Sequence, residues 1–285
     1  MTTLTAGPAT VRVDRARGAR VTSLLVHGHE LLVQPTPGSP GQPTDPLLSG
    51  CYPMVPFAGR VRGGRFAWGG AIHELEPNHA GHAMHGTGYN RRWLLELADV
   101  GYLRLRTDLR PGWPFDGWAI HEVGLTRDRL ELRLEVHTAG STFPATCGWH
   151  PWFRRRLAVG DPLAVELEAT RWYPRDVDGL PLGVIEARPP NGPWDDCFTA
   201  VTWPTTLTWP GALSLSLTST CDHVVLYDQP RHAVCVEPQS GPPDALNHLE
   251  WAQFVRPGRP LIAEMSLTWS PLQSAPDPTT PRTGV

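Results

Sequence analysis

Leu130-Glu131-Leu132-Arg133-Leu134-Glu135-Val136 places four apolar side chains at every second position against three charged ones. A period of two is that of a pleated strand with one face on a core and the other in water. Residues 118–136 therefore read as a hairpin, and the same reading extends outward from it. Upstream, 94–109 continues as strand, and 65–75 is a hairpin across Trp68-Gly69-Gly70, where Gly-Gly tolerates positive φ. Segments 163–167 and 213–217 repeat the alternation. Residues 224–227 and 234–236 are short apolar strands, and 261–269 closes the series. At the start, 9–33 reads as strands with a turn at His27-Gly28-His29-Glu30. Only 245–254 has a helical pattern. Residues 34–46 contain turn formers and are read as a loop, and 51–65, with two prolines and three glycines, is too punctuated for a regular element.

Many short strands, frequent turn signals and no βαβ rhythm predict an all-β sandwich. Composition agrees, because 28 Gly and 31 Pro among 285 residues interrupt long helices. No linker or repeat divides 1–270, which is read as one domain, and the Pro/Ser/Thr-rich 271–285 is read as a loose tail. A net charge of -3 offers no basic footprint for nucleic acid or an anionic membrane. Five scattered cysteines without a CxxC pair argue against a disulfide framework or a thiolate zinc site, and make a reducing cytoplasm the expected compartment. No signal-peptide core and no run long enough to span a bilayer is found.

The chemistry-bearing residues fall in five stretches. Cys147-Gly148-Trp149-His150-Pro151-Trp152-Phe153 sets an imidazole between two tryptophans. Aromatic faces suit the C–H faces of a pyranose, and an imidazole can move a proton near pH 7. Pro151, lacking an N–H, is expected to stop an ordinary ladder there. The alternative is a tucked-in histidine propped by core aromatics. Phe57-Ala58-Gly59-Arg60 puts a guanidinium fork on a glycine turn, for sugar hydroxyls, phosphate or solvent alone. His79, His82 and His85 crowd one loop, but their spacing matches no standard zinc motif, so no metal is expected. His85 before Gly86 is the better single working histidine. Asp195-Asp196 points two carboxylates opposite ways if extended, one to a pocket and one to water, unless both sit in a turn. Glu237 follows the apolar Val234-Cys235-Val236 and precedes Pro238, where the strand is expected to end. Partial desolvation there raises a carboxylate pKa and strengthens it as a base. Neither a GxSxG elbow nor a GxGxxG or GxxxxGK[ST] phosphate loop occurs, which points to proton transfer without covalent or nucleotide chemistry.

Taken in order, CYPMVPFAGRVRGGRF, HAMHGTGYNRRW, FPATCGWHPWF, DDCF and VCVEPQSGPPDALN resemble the successive motifs of the aldose 1-epimerase (galactose mutarotase) family over most of 50–270. The resemblance implies a β-supersandwich and cofactor-free interconversion of the anomers of an aldohexose monosaccharide, by a monomer or homodimer. It implies Glu237 as the base at the anomeric hydroxyl, His150 as the acid at the ring oxygen, His85 assisting, and Arg60 and Asp195 holding hydroxyls. Trp149 and Trp152 would supply apolar walls in place of the family's tyrosines, and Gly59 stands where the family has Asn. Two further readings stay open. One is epimerisation of hexose 6-phosphates, using Arg60, Arg62, Arg91 and Arg92. The other is a non-catalytic carbohydrate-binding protein. In the leading reading Glu237 and His150 face each other across a gap of pyranose width, with neighbouring carboxylates keeping His150 protonated.

Overall fold

The computed structural model describes residues 1–35, 45–187 and 191–271; all of the 271–285 tail call but its first residue, which ends a strand, and most of the 34–46 loop call lie outside them. The protein is all-β, built on a 16-stranded antiparallel sheet. The middle of the sheet runs Arg20–Val26, Cys51–Met54, Gly148–Arg154, Ala233–Gln239, His223–Tyr227, Asp195–Trp209. One wing adds Ala9–Asp14 and Thr2–Ala6. The other passes through Leu213–Ser219 and Leu261–Pro271 to the hairpin Arg129–His137 and Trp118–Leu125, then Tyr102–Asp108 and Leu94–Asp99. The wings close on each other, since one buried cluster holds Val11, Val21 and Leu24 together with Leu103, Leu132 and Leu134.

The hairpin follows its alternation. Leu130, Leu132, Leu134 and Val136 are buried, while Arg133 on the other face bonds Glu135 at 2.8 Å. Each buried aliphatic stabilises by about 1.5–3 kcal/mol, so a one-residue slip that buried Glu131 and Arg133 instead is strongly disfavoured. The hairpin across Gly69-Gly70 is also present, as Arg65–Trp68 and Ala71–Glu74.

Three expectations are corrected. Cys51–Met54 is a strand despite Pro53. The predicted helix over 245–254 is only the 3-10 turn Ala245–Asn247, followed by the strand Gln253–Val255. Neither Pro151 nor Pro238 ends its strand, because Gly148–Arg154 and Ala233–Gln239 run through them. The two strands pair at Gly148 with Gln239 and again at Trp152 with Cys235, and their pairing lapses in between. Both prolines fall in that lapse, where the sheet accommodates residues that bring no N–H.

Candidate active site

The lapse between the two central strands also contains His150 and Glu237, which lie opposite each other in the register. Alternation assigns every neighbour to a face. Trp149 and Phe153, with Val234 and Val236 beside them, enter the main core, whereas Tyr52, Trp152 and Cys235 pack on the other side. That second face is the floor of a cavity of about 170 Å³, reached by His150, Trp152, Tyr227, Glu237 and Gln239 from the sheet. Loops supply its walls, with Asp45, Leu47 and Leu48 on one side and Arg60, His79 and His85 on another. Asp195 and Gly179 complete the rim.

His150 Nε2 and Glu237 Oε1 are 3.2 Å apart, and both side chains are almost wholly buried. The two groups are therefore side by side on one floor, not facing across a gap. Glu237 also accepts a long bond of 3.4 Å from Gln239 Nε2. Burial, then the nearby Asp195, raises the Glu237 pKa well above the carboxylate range. Burial, followed by His85 and Arg20, lowers that of His150 well below the usual imidazole value. This corrects the expectation that carboxylates keep His150 charged. Both shifts favour the uncharged forms, a protonated carboxyl beside a neutral imidazole.

The His150 ring is held on two sides. Tyr52, its cross-strand partner, lies 4.9 Å away at 26°, and Trp152 lies 5.2 Å away at 12°. His85 approaches edge-on at 5.0 Å and 88°. Burial and then Arg60 lower the His85 pKa to about 3, so it acts as a neutral hydrogen-bonding group. Its place is fixed by the main-chain N–H of His85, which donates to the Gly59 carbonyl at 2.8 Å, and by Gly86, where a Cβ would stand 1.9 Å from the Val55 oxygen. Arg60 Nη1 donates to the Gly179 carbonyl at 3.2 Å, and Nη2 is 4.0 Å from Asp195. Asp196 turns away from the cavity, as alternation requires, but it is buried against Arg175 Nε at 2.9 Å rather than in water.

Six of the seven residues to which the family resemblance gave a role thus line one cavity: Arg60, His85, His150, Trp152, Asp195 and Glu237. Trp149 does not. It is fully buried in the core, where Nε1 donates to His121 Nε2 at 3.1 Å, because it is one residue out of phase with His150. Tyr52, Tyr227 and Gln239 were missed. Gln239 was legible as the residue two beyond Glu237, but Tyr52 lay in a stretch read as irregular. The loop histidines do not converge on a metal, since His82 Nδ1 accepts the Gly63 N–H at 3.1 Å. Among the described residues the one set of metal-type ligand atoms within 4.8 Å of one another is that of His150, Cys235 and Glu237. Burial raises the pKa of both the Cys235 thiol and the Glu237 carboxyl well above their usual values, which works against a cation there.

The family model described as aldose 1-epimerase matches residues 3–268. The chain belongs to the aldose 1-epimerase family. A curated relative, the uncharacterised protein YphB of Escherichia coli K12, is 37% identical over 106 residues, which is 36% of either chain. The match therefore spans about a third of that relative's length. A candidate aldose 1-epimerase from Escherichia coli K12 superposes with a TM-score of 0.81 at 23% identity, over 95% of this chain and 98% of that one. The GalM/aldose epimerase homologue of C. elegans gives 0.80 at 16%, over 95% and 98%. At these identities the likeness speaks for the fold, a galactose mutarotase-like supersandwich.

One departure from the family pattern has a visible cause here. Gly59 has φ +67°, and a Cβ on it would lie 2.8 Å from Pro243 Cα. Proline thus occupies the space beside Arg60 that an asparagine side chain would need.

Proposed function

We propose that this family member is an aldose 1-epimerase that interconverts the α and β anomers of a free aldohexose. The observation that carries the reading is the 3.2 Å contact of His150 with Glu237 on the cavity floor. Opening a hemiacetal moves one proton off O1 and another onto the ring oxygen O5, and both oxygens are bonded to C1. An acid and a base side by side serve that better than a pair on opposite walls. The pair carries one proton, and the short contact lets it sit on either partner. Sugar hydroxyls entering the cavity solvate the carboxylate and favour its transfer to His150.

Glu237 then takes the O1 proton while His150 Nε2 gives its proton to O5, and the C1–O5 bond breaks to leave the open-chain aldehyde. Rotation about C1–C2 presents the other carbonyl face. On reclosure O5 returns its proton to His150 and Glu237 reprotonates the new O1, so nothing is consumed and no cofactor enters. Each positioned group contributes about 10²–10⁴-fold. His85, Arg60 and Asp195 orient the hydroxyls, and Trp152 offers the ring an apolar face.

A free sugar suits this cavity better than a phosphorylated one. Its lining includes the carboxyl groups of Asp45 and Asp195 against the single guanidinium of Arg60. Arg62 is bonded to Asp176 at 2.8 Å, and Arg91 and Arg92 lie in a separate surface depression. Five free, buried thiols and a reaction on a small metabolite accord with a cytoplasmic setting; no helix among the described residues is long and apolar enough to cross a membrane.

Polarimetry or proton NMR of freshly dissolved α-D-glucose and α-D-galactose tests the proposal. Wild type should speed equilibration over the buffer blank, and Glu237→Gln and His150→Asn should each lose about 10²-fold or more. The matching 6-phosphates should react more slowly. A panel of aldoses that all equilibrate at the blank rate would end the reading.

A further inference from the structure

Arg20 begins the strand Arg20–Val26 and is 3% exposed. No carboxylate among the described residues lies within ion-pair distance of it; its partners are main-chain oxygens. Nη1 donates to the Ser49 carbonyl and Nη2 to that of Pro46, with a longer bond of 3.5 Å to Tyr89 O. A buried cation without an ion-pair contact costs several kcal/mol, and Asp14 and Asp45 act on this one only at longer range, so three converging carbonyls around it amount to a built feature. One glycine makes room for the side chain and another for the Tyr89 carbonyl that it bonds. A Cβ on Gly50 would stand 2.9 Å from Arg20 Cγ, and one on Gly18 would stand 1.8 Å from Tyr89 O.

The guanidinium packs on Tyr52, with Cζ 4.6 Å from the ring centroid. Tyr52 in turn stacks on His150, and its hydroxyl donates to Leu47 O at 3.2 Å. Arg20 and Tyr52 therefore hold the 46–49 segment from two sides, and Leu47 and Leu48 of that segment form part of the cavity wall. Tyr89 belongs to the loop that follows His85.

We infer that Arg20 is a positioning residue for the His150–Glu237 pair, fixing the His150 ring through Tyr52 and holding the 45–49 rim and the His85 loop through backbone carbonyls. Its charge has a second effect. The titratable groups on the His150 side of the sheet are Tyr52 from one neighbouring strand and Cys235 and Glu237 from the other, with His85, Arg60, Asp195, Asp45, His79 and Tyr227 from the rest of the cavity lining. Arg20 adds a fixed positive charge to this set and opposes a second one on His150, which assists transfer of its proton to O5.

The inference rests on the epimerase reading only for its kinetic part, so the test has a part that needs no sugar. Histidine-selective ¹³C NMR, with the His150 signal assigned by His150→Asn, follows the ring's titration in wild type, Arg20→Met and Arg20→Lys. Methionine keeps the bulk and removes the charge, and the His150 titration should move upward. Lysine should return it to the wild-type position. In rate assays Arg20→Met should lower kcat about tenfold or more with a smaller change in KM. Arg20→Lys should recover only part of that, because an ammonium does not reproduce the planar fork that spans the carbonyls. A folded Arg20→Met with lower Tm but unchanged His150 titration and kcat would overturn the proposal, leaving Arg20 a purely structural residue. If Arg20→Met does not fold, Tyr52→Leu is the second variant. It cuts the stack while keeping the cation, and an unshifted His150 signal with unchanged kcat there would overturn the proposal equally. A wild-type protein that epimerises no aldose removes the proposed function but leaves the NMR result standing.

Discussion

Gly59 and Pro243 replace an amide beside the cavity's arginine. The backbone at Gly59 lies in the left-handed region, which asparagine tolerates better than most residues, so the dihedral alone is no obstacle. The contact is the obstacle, since Pro243 atoms lie 2.8–2.9 Å from the Cβ position. Gly59→Asn should therefore destabilise by about 1–3 kcal/mol by overpacking and raise KM rather than improve sugar binding. Chemical denaturation with Michaelis kinetics checks this; an unchanged midpoint and a lower KM would contradict it. Among the described residues Glu237 meets His150 at 3.2 Å and a longer 3.4 Å bond from Gln239, so its chemistry leans on the imidazole.

At the scale of the element, the Gly148–Arg154 strand divides its aromatics between two faces, and this separates stability from function. Trp149 lies wholly in the core and is bonded to His121, whereas Trp152 lines the cavity and stacks on His150. Trp149→Phe should cost about 1–3 kcal/mol of stability through the lost bond and the void, with KM nearly unchanged. Trp152→Ala should raise KM and lower kcat together, because it removes both the apolar wall and a side support for the imidazole. Thermal melts alongside kinetics distinguish the two, and the reverse assignment would refute the face reading. Gly148 is the residue that lets the strands meet, since a Cβ there would come within 2.2 Å of Pro238 O.

At the scale of the whole molecule, the site is held at the expense of stability. A carboxyl whose pKa is raised by folding contributes fully below its unfolded value, near 4.5, and loses that contribution as pH climbs toward the folded value. At neutral pH the buried Glu237 therefore weakens the fold. Glu237→Gln should melt roughly 2–6 °C higher at neutral pH, with the difference shrinking toward pH 4. His150 has the opposite sign, its contribution being present above its unfolded value and lost as pH falls. Melts across pH decide the matter; a variant that melts lower than wild type at neutral pH would contradict it. Much of this was legible in the chain itself. Period-two alternation at Leu130–Val136, turn spacing and Gly-Gly at 69–70 dictate an all-β fold, because local sterics and one-sided burial act within a few residues. The motif order also placed Glu237, His150, His85, Arg60 and Asp195 in one site. The tertiary structure alone decided that Trp149 belongs to the core, that two prolines sit inside central strands, that Glu237 and His150 are adjacent, and that Arg20 and Tyr52 stand behind them. Those facts depend on which distant strands pair and in what register. Burial by residues far away in sequence then sets which of two neighbouring groups holds the proton.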